Sequence, residues 1–435
     1  MANIIQLYTE YQRNKWFPKT YPDPFGELMD HINEEGIQSL ISEYKKSRNR
    51  AFLQIALELS EWIPINRFRD AYKDYASVYE KKLAPAQCRP EFSYFHLRKL
   101  GREDRTQLWN NLQDWAESAK TRMFNWHTVR IQTEKTLKEL RDEYQSAYGM
   151  QPEKDLTRIE EWLTSTKEEF DSEFERYSDA KTLPEALASF RLMNWDSIFD
   201  WNDFPELCRS FFKITQIEKT PELRKSEVDP GVQACLPVFP PSQVIVEYGR
   251  AAGPCDSARF IAEASKGCFY SNMNLEVPDE FRFSGDPRIS EFWRNLFVLG
   301  YTSKAGLQKI VGDLAVDLSM HLNRFIVFWL RYDAFLALYK NSAERDLQTA
   351  EDAFAENWRK AFSLDVPGRL YLFELDRSAS ALARVQGMEA AMYALEKFRT
   401  VYGNAWFSSS QCISRLKDFW WDGFKLGLND VLVDL

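Results

Sequence analysis

The chain has 435 residues, 44% of them hydrophobic and 28% charged, so it can bury a large core without a disulfide or metal staple. Its net charge is −9 and no basic stripe is interleaved with aromatics, which argues against a nucleic-acid partner. Aromatics reach 15% while glycines number only 17, a balance that favours packed helices over a glycine-rich α/β sheet.

The opening segment, MANIIQLYTEYQRNKW, has no basic n-region followed by an apolar run, so no signal peptide is expected. Residues 1–188 read as an N-terminal helical region. Leu112, Trp115, Ala119, Trp126, Leu137, Leu140 and Tyr144 fall on one face of a long helix. Pro152 opens a second, with Leu156, Ile159, Leu163, Phe170, Phe174 and Tyr177 as its apolar stripe. Tyr148-Gly149 separates the two, and the pair is expected as an antiparallel hairpin. These aromatic stripes read as core, and the Glu and Lys between them as solvated faces.

A second region is expected at 189–435. Prolines 230, 237, 240, 241 and 254 crowd its start. Within it VQACLPVF (232–239) and SQVIVEYG (242–249) read as a small β-ribbon, the second by its alternation of Val244, Val246 and Tyr248. A helix over about 256–268 follows, then an irregular stretch at 270–287. Helices resume at about 289–300, 303–341, 345–362, 378–402 and 409–428. The most apolar of them, FIVFWLRYDAFLALYK (325–340), contains Arg331 and Asp333 and reads as a buried helix, not a membrane span. The cysteines at 88, 208, 235, 255, 268 and 412 form no CxxC pair, so buried, reduced thiols and a cytoplasmic location are expected.

The stretch FIAEASKGCF (260–269) carries the chemistry. Glu263 stands where an HExxH motif has its catalytic glutamate, with Ala262 and Lys266 in the two histidine positions. In SEFWRNLF (290–297), Glu291 comes 25 residues after Lys266. Taken with QACLPVFPPSQVIVEYGRAAGPCDSARFIAEASKG, EVPDEFRFSGDPRISEFW and SALARVQGMEAAMYALEKFRTVYGNAWF, this spacing resembles the thimet oligopeptidase and oligopeptidase F group of zinc metallopeptidases. The likeness is to its compact members and spans about residues 190–435.

The resemblance implies a mainly α, metallopeptidase-like fold with a deep cleft. It makes Ala262, Lys266 and Glu291 the metal-ligand positions and Glu263 the general base. It also places the family's oxyanion-stabilising Tyr near Ser378 in DRSASAL, with Tyr371 the nearest tyrosine before it. This chain departs from that pattern. Its four histidines, 31, 96, 127 and 321, form no HxxxH or HxxE pair, and His321 reads as a helical residue in or beside the core.

Ala262 has no donor atom, a lysine must lose its proton to ligate, and two carboxylates alone suit zinc poorly. No metal and no cofactor are therefore expected. The Lys266 ammonium is expected to stand in for the ion, forming a Glu263–Lys266–Glu291 cluster. The leading functional expectation is a pseudopeptidase that binds a peptide, protein or small molecule in the central cleft without hydrolysis. The alternative is a metal-independent enzyme with Lys266 and Glu263 as acid–base residues. An active metallopeptidase with unusual ligands ranks third.

Overall fold

The structure is a computed structural model that describes residues 32–80, 97–226, 233–283 and 285–435. His31, His96, Cys88, the opening segment and the first residue of the expected ribbon, Val232, lie outside the described residues.

Helices α1 (Glu34–Ser47) and α2 (Arg50–Ser60) form a hairpin. The Asn33 side chain caps α1 by accepting from the Gly36 amide at 2.8 Å. Two shorter helices follow, α3 (Ile63–Arg67) and α4 (Arg69–Glu80). The expected long helix is α5 (Arg102–Thr136) and α6 (Lys138–Ala147), interrupted at Leu137. The next is α7 (Pro152–Ser165) and α8 (Lys167–Tyr177), interrupted at Thr166. The second break has a use: the Thr166 hydroxyl accepts from Arg331 Nη1 at 2.7 Å. The other Arg331 donors reach the Leu163 and Ala361 carbonyls, both at 3.0 Å, so this charge sits satisfied in the core.

Beyond α9 (Leu183–Ser189) and α10 (Phe204–Ile214) comes a three-stranded sheet in the order β1-β3-β2. β2 (Gln233–Phe239) pairs antiparallel with β3 (Gln243–Tyr248), placing Cys235 opposite Val246, and its register shifts between Leu236 and Phe239. Pro237 falls inside that shift, where the ladder can spare an N–H. β1 (Glu222–Lys225), which the sequence reading did not anticipate, adds in parallel to the other edge of β3.

The C-terminal helices are α11 (Pro254–Ser271), α12 (Glu280–Phe283), α13 (Pro287–Thr302), α14 (Lys304–Val311), α15 (Ala315–Arg345), α16 (Ala350–Ala361), α17 (Tyr371–Arg377), α18 (Ala381–Tyr402), α19 (Ser410–Trp421) and α20 (Leu428–Asp434). The expected single helix over 303–341 is two, because Gly312 takes φ +60° and ends α14. The expected helix over 409–428 is likewise cut at Gly423, with φ +58°.

Among the described residues two apolar cores form. The smaller joins Ile37, Leu40 and Ile41 of α1 to Leu53 and Ala56 of α2 and to Leu140 and Tyr144 of α6. The larger runs across residue 188: Leu112, Leu163 and Phe190 share it with Phe260, Phe297 and Phe335. Among the described residues no helix is long and apolar enough to cross a membrane.

Candidate functional site

Helix α11 is buried almost all round. Its small residues allow this: Ala258, Ala262, Ala264 and Gly267 leave room for neighbours, and a Cβ on Gly267 would lie 2.7 Å from Pro221. From Arg259 to its end, only Arg259, Glu263 and Lys266 retain partial exposure, in steps of four and three that put them on one face. After its first residue, α13 repeats the pattern with Glu291 and Arg294. The two polar faces meet.

Arg294 is the bridge. Its Nε donates to Glu263 Oε1 at 2.8 Å, and its Nη1 makes a longer contact of 3.4 Å with Glu291 Oε2. Lys266 Nζ lies 3.4 Å from Glu291 Oε1. The second oxygen of Glu263 accepts the Cys235 amide at 3.1 Å, tying the cluster to strand β2. Lys266 thus contacts one carboxylate, and the cation joining both carboxylates is Arg294. Sequence reasoning missed Arg294, although its place one turn after Glu291 was a signal for an i,i+3 partner.

Two further elements set the geometry. α18 crosses α13 at Gly387, where an added Cβ would stand 2.6 Å from Glu291 Cβ. One turn earlier, Arg384 holds Asp333 of α15 through Nε at 2.8 Å and Nη2 at 2.7 Å. Charges therefore alternate across four helices. Burial alone would raise the Glu291 carboxyl, but Lys266, Arg294 and Arg384 together hold it below the ordinary range. Burial would likewise lower the Lys266 ammonium, yet Glu291, Tyr270 and Glu263 raise it above its usual value. Arg294 is raised in the same way against burial by Glu291 and Glu263.

This donor set does not suit a divalent ion. Ala262 offers no donor, Lys266 is held protonated, and both carboxylates are engaged by cations. Among the described residues no group of three or more His, Cys, Asp or Glu side chains is arranged to hold a metal. His321 is a core residue: Nδ1 lies 2.8 Å from the Tyr177 hydroxyl, Nε2 3.6 Å from Cys255 Sγ, and burial lowers its pKa to about 4. His127 is fully buried beside Asp376, its pKa also lowered to about 4 by burial. Ser378 is buried with its hydroxyl turned back to the Leu375 carbonyl at 2.6 Å. Tyr371 is buried elsewhere, under the Lys120 ammonium. The described cysteines are free thiols, and burial raises the pKa of each resolved one.

Beside the cluster opens a cavity of about 430 Å³. Ala262, Arg294 and Asn295 line one side, and Phe325, Trp329 and Arg384 another. Glu263, Lys266 and Glu291 are not among its lining residues. Asp256, fully buried at the first turn of α11, pairs with Arg98 and, at 3.2 Å, with Lys99. That pairing anchors Arg98, which also lines the cavity.

No family model matches the sequence, and no curated protein matches it. Among solved structures, the fold is similar to metallocarboxypeptidase 1 of Trypanosoma cruzi, with a TM-score of 0.57 and 11% identity over 99% of this chain and 94% of that one. It is also similar to a protein assigned as an oligoendopeptidase F of Bacillus anthracis str. Ames, with a TM-score of 0.56 and 11% identity over 98% of this chain and 81% of that one. At these identities the likeness speaks to fold alone: the chain has a mainly α, metallopeptidase-like fold.

Proposed function

We propose that this protein binds a ligand in a metallopeptidase-like cleft without zinc-dependent hydrolysis. The observation that carries the reading is the closed charge cluster. The resemblance gives Ala262, Lys266 and Glu291 the metal-ligand positions; Ala262 has no donor there, and Lys266 and Arg294 neutralise Glu291 and Glu263. Glu263, at the base position, is engaged at both oxygens, one by Arg294 and one by the Cys235 amide, and so serves as a structural member of the cluster. The cavity next to it is within the range of about 300–1,000 Å³ usual for small-molecule sites.

The alternative, an enzyme with Lys266 and Glu263 as acid and base, has less support. Lys266 is held cationic by Glu291, the opposite of what a nucleophilic or basic amine needs, and neither residue lines the cavity. Incubation of the purified chain with a mixed peptide pool, with and without added zinc, tests the reading by mass spectrometry. Intact peptides in both samples are expected. New fragments that appear with zinc and vanish in Glu263→Gln would overturn it.

A further inference from the structure

The cavity holds a polar side chain that the fold leaves unanswered. Asn295 is 4% exposed and lines the cavity, and its carboxamide makes no side-chain hydrogen bond within the described residues. Beside it the Trp329 indole N–H is buried without a partner among the described residues, so the cavity offers polar groups that the fold leaves to a ligand or water. The neighbour of Asn295 on α13 lines the same cavity. Arg294 commits Nε and Nη1 to the two glutamates, and Nη2 makes neither bond. Both residues line the one cavity, so a guanidinium and a carboxamide are available there to the oxygens of a carboxylate. Arg259 adds another guanidinium to the same lining, and the two carboxylates there are engaged, Asp333 by Arg384 and Asp376 by the Tyr75 hydroxyl. The opposite wall, with Phe325 and Trp329, is aromatic.

We infer that this cavity takes a small organic carboxylate with an apolar, preferably aromatic, body. The carboxylate lies against Arg294 Nη2 and Asn295, and the body against Phe325 and Trp329. This rests on the reading of the cleft as a binding site and names its ligand class. The two glutamates fix Arg294 in place, so its remaining donors are preorganised.

Isothermal titration calorimetry on the full chain, in EDTA near neutral pH, tests this with 3-phenylpropionate as the probe. 3-Phenylpropionamide is the neutral comparison, 2-phenylethylamine the cationic one, and the dipeptide Gly-Phe the arm that separates a peptide C-terminus from a free acid. The carboxylates are expected to bind at least about tenfold more tightly than the neutral amide, and the amine not at all. Asn295→Leu is expected to weaken carboxylate binding by about tenfold. Asn295→Asp, which keeps the side-chain shape and so guards against a folding defect, is expected to abolish it while leaving far-UV circular dichroism unchanged. Equal binding of all the probes, no binding of either carboxylate, or undiminished binding by the folded Asn295→Asp variant would overturn the inference. Failure here with no peptide hydrolysis leaves the non-hydrolytic reading standing; zinc-dependent fragments in the peptide assay would remove that reading whatever this titration gives.

Discussion

Arg294 joins two carboxylates that would otherwise repel each other across a helix interface, and Lys266 adds a second cation to Glu291. Removing one member leaves its partners desolvated, whereas removing an ion pair together can be neutral. Glu291→Gln should therefore destabilise the fold by about 1–3 kcal/mol in urea unfolding. Lys266→Met should cost less, because Arg294 remains, and the Lys266→Met/Glu291→Gln double variant should lose less than the sum of the two single variants. Additive losses in that cycle would mean the contact contributes nothing.

The pH dependence of stability has three separable parts. His127 and His321, both lowered to about 4 by burial, are neutral in the fold and bind protons when unfolded. Their contribution is present above the ordinary histidine pKa of about 6.5 and is lost as pH falls towards 4, with up to about two protons taken up on unfolding. Glu291, lowered by its cations, contributes above the ordinary carboxyl value of about 4.3 and loses this as pH falls through its folded pKa. Lys266, raised, contributes fully below its ordinary value of about 10.4 and loses this only as pH rises through its folded pKa. Denaturation from pH 3 to 8 should show Glu291→Gln changing the limb below about pH 4.5 and His321→Gln changing the slope between about 4 and 6.5. Identical profiles would contradict the assignment. Ala262, Glu263, Lys266 and Glu291 could be picked from the sequence because a motif fixes their spacing. The pairing of Arg294 with Glu263 could not, since it depends on how α11 crosses α13.

Gly387 decides the spacing between elements. Its missing side chain lets α18 lie directly over Glu291, and a Cβ there would also come within 2.9 Å of the Glu291 carbonyl carbon. Gly387→Ala gains about 1 kcal/mol of helix propensity but forces two packed helices apart, so a net loss of about 1–3 kcal/mol is expected in chemical denaturation. A more stable variant would show that the crossing has slack. Helix periodicity and the β2–β3 alternation were legible because each is a local pattern. The breaks at Leu137 and Thr166 lie inside continuous apolar stripes, where only tertiary contacts such as Arg331 on Thr166 reveal them. Strand β1, ELRK, has no alternation of its own and exists through its parallel pairing with β3.

At the scale of the whole molecule, the mainly helical class followed from many aromatics and few glycines. The resemblance in sequence spans about residues 190–435, while the likeness in structure to the Trypanosoma cruzi enzyme covers 99% of the chain. The difference has a physical basis. Helices such as α5 and α7 need only apolar residues at helical spacing to pack, so their sequences can drift without losing the fold.

In the proposed reading Lys266 and Arg294 occupy the electrostatic place of a metal. Zinc titration of the EDTA-stripped chain by calorimetry tests this. No stoichiometric site is expected, in the parent and in Glu291→Gln alike. One zinc bound per chain, lost in Glu291→Gln, would contradict it.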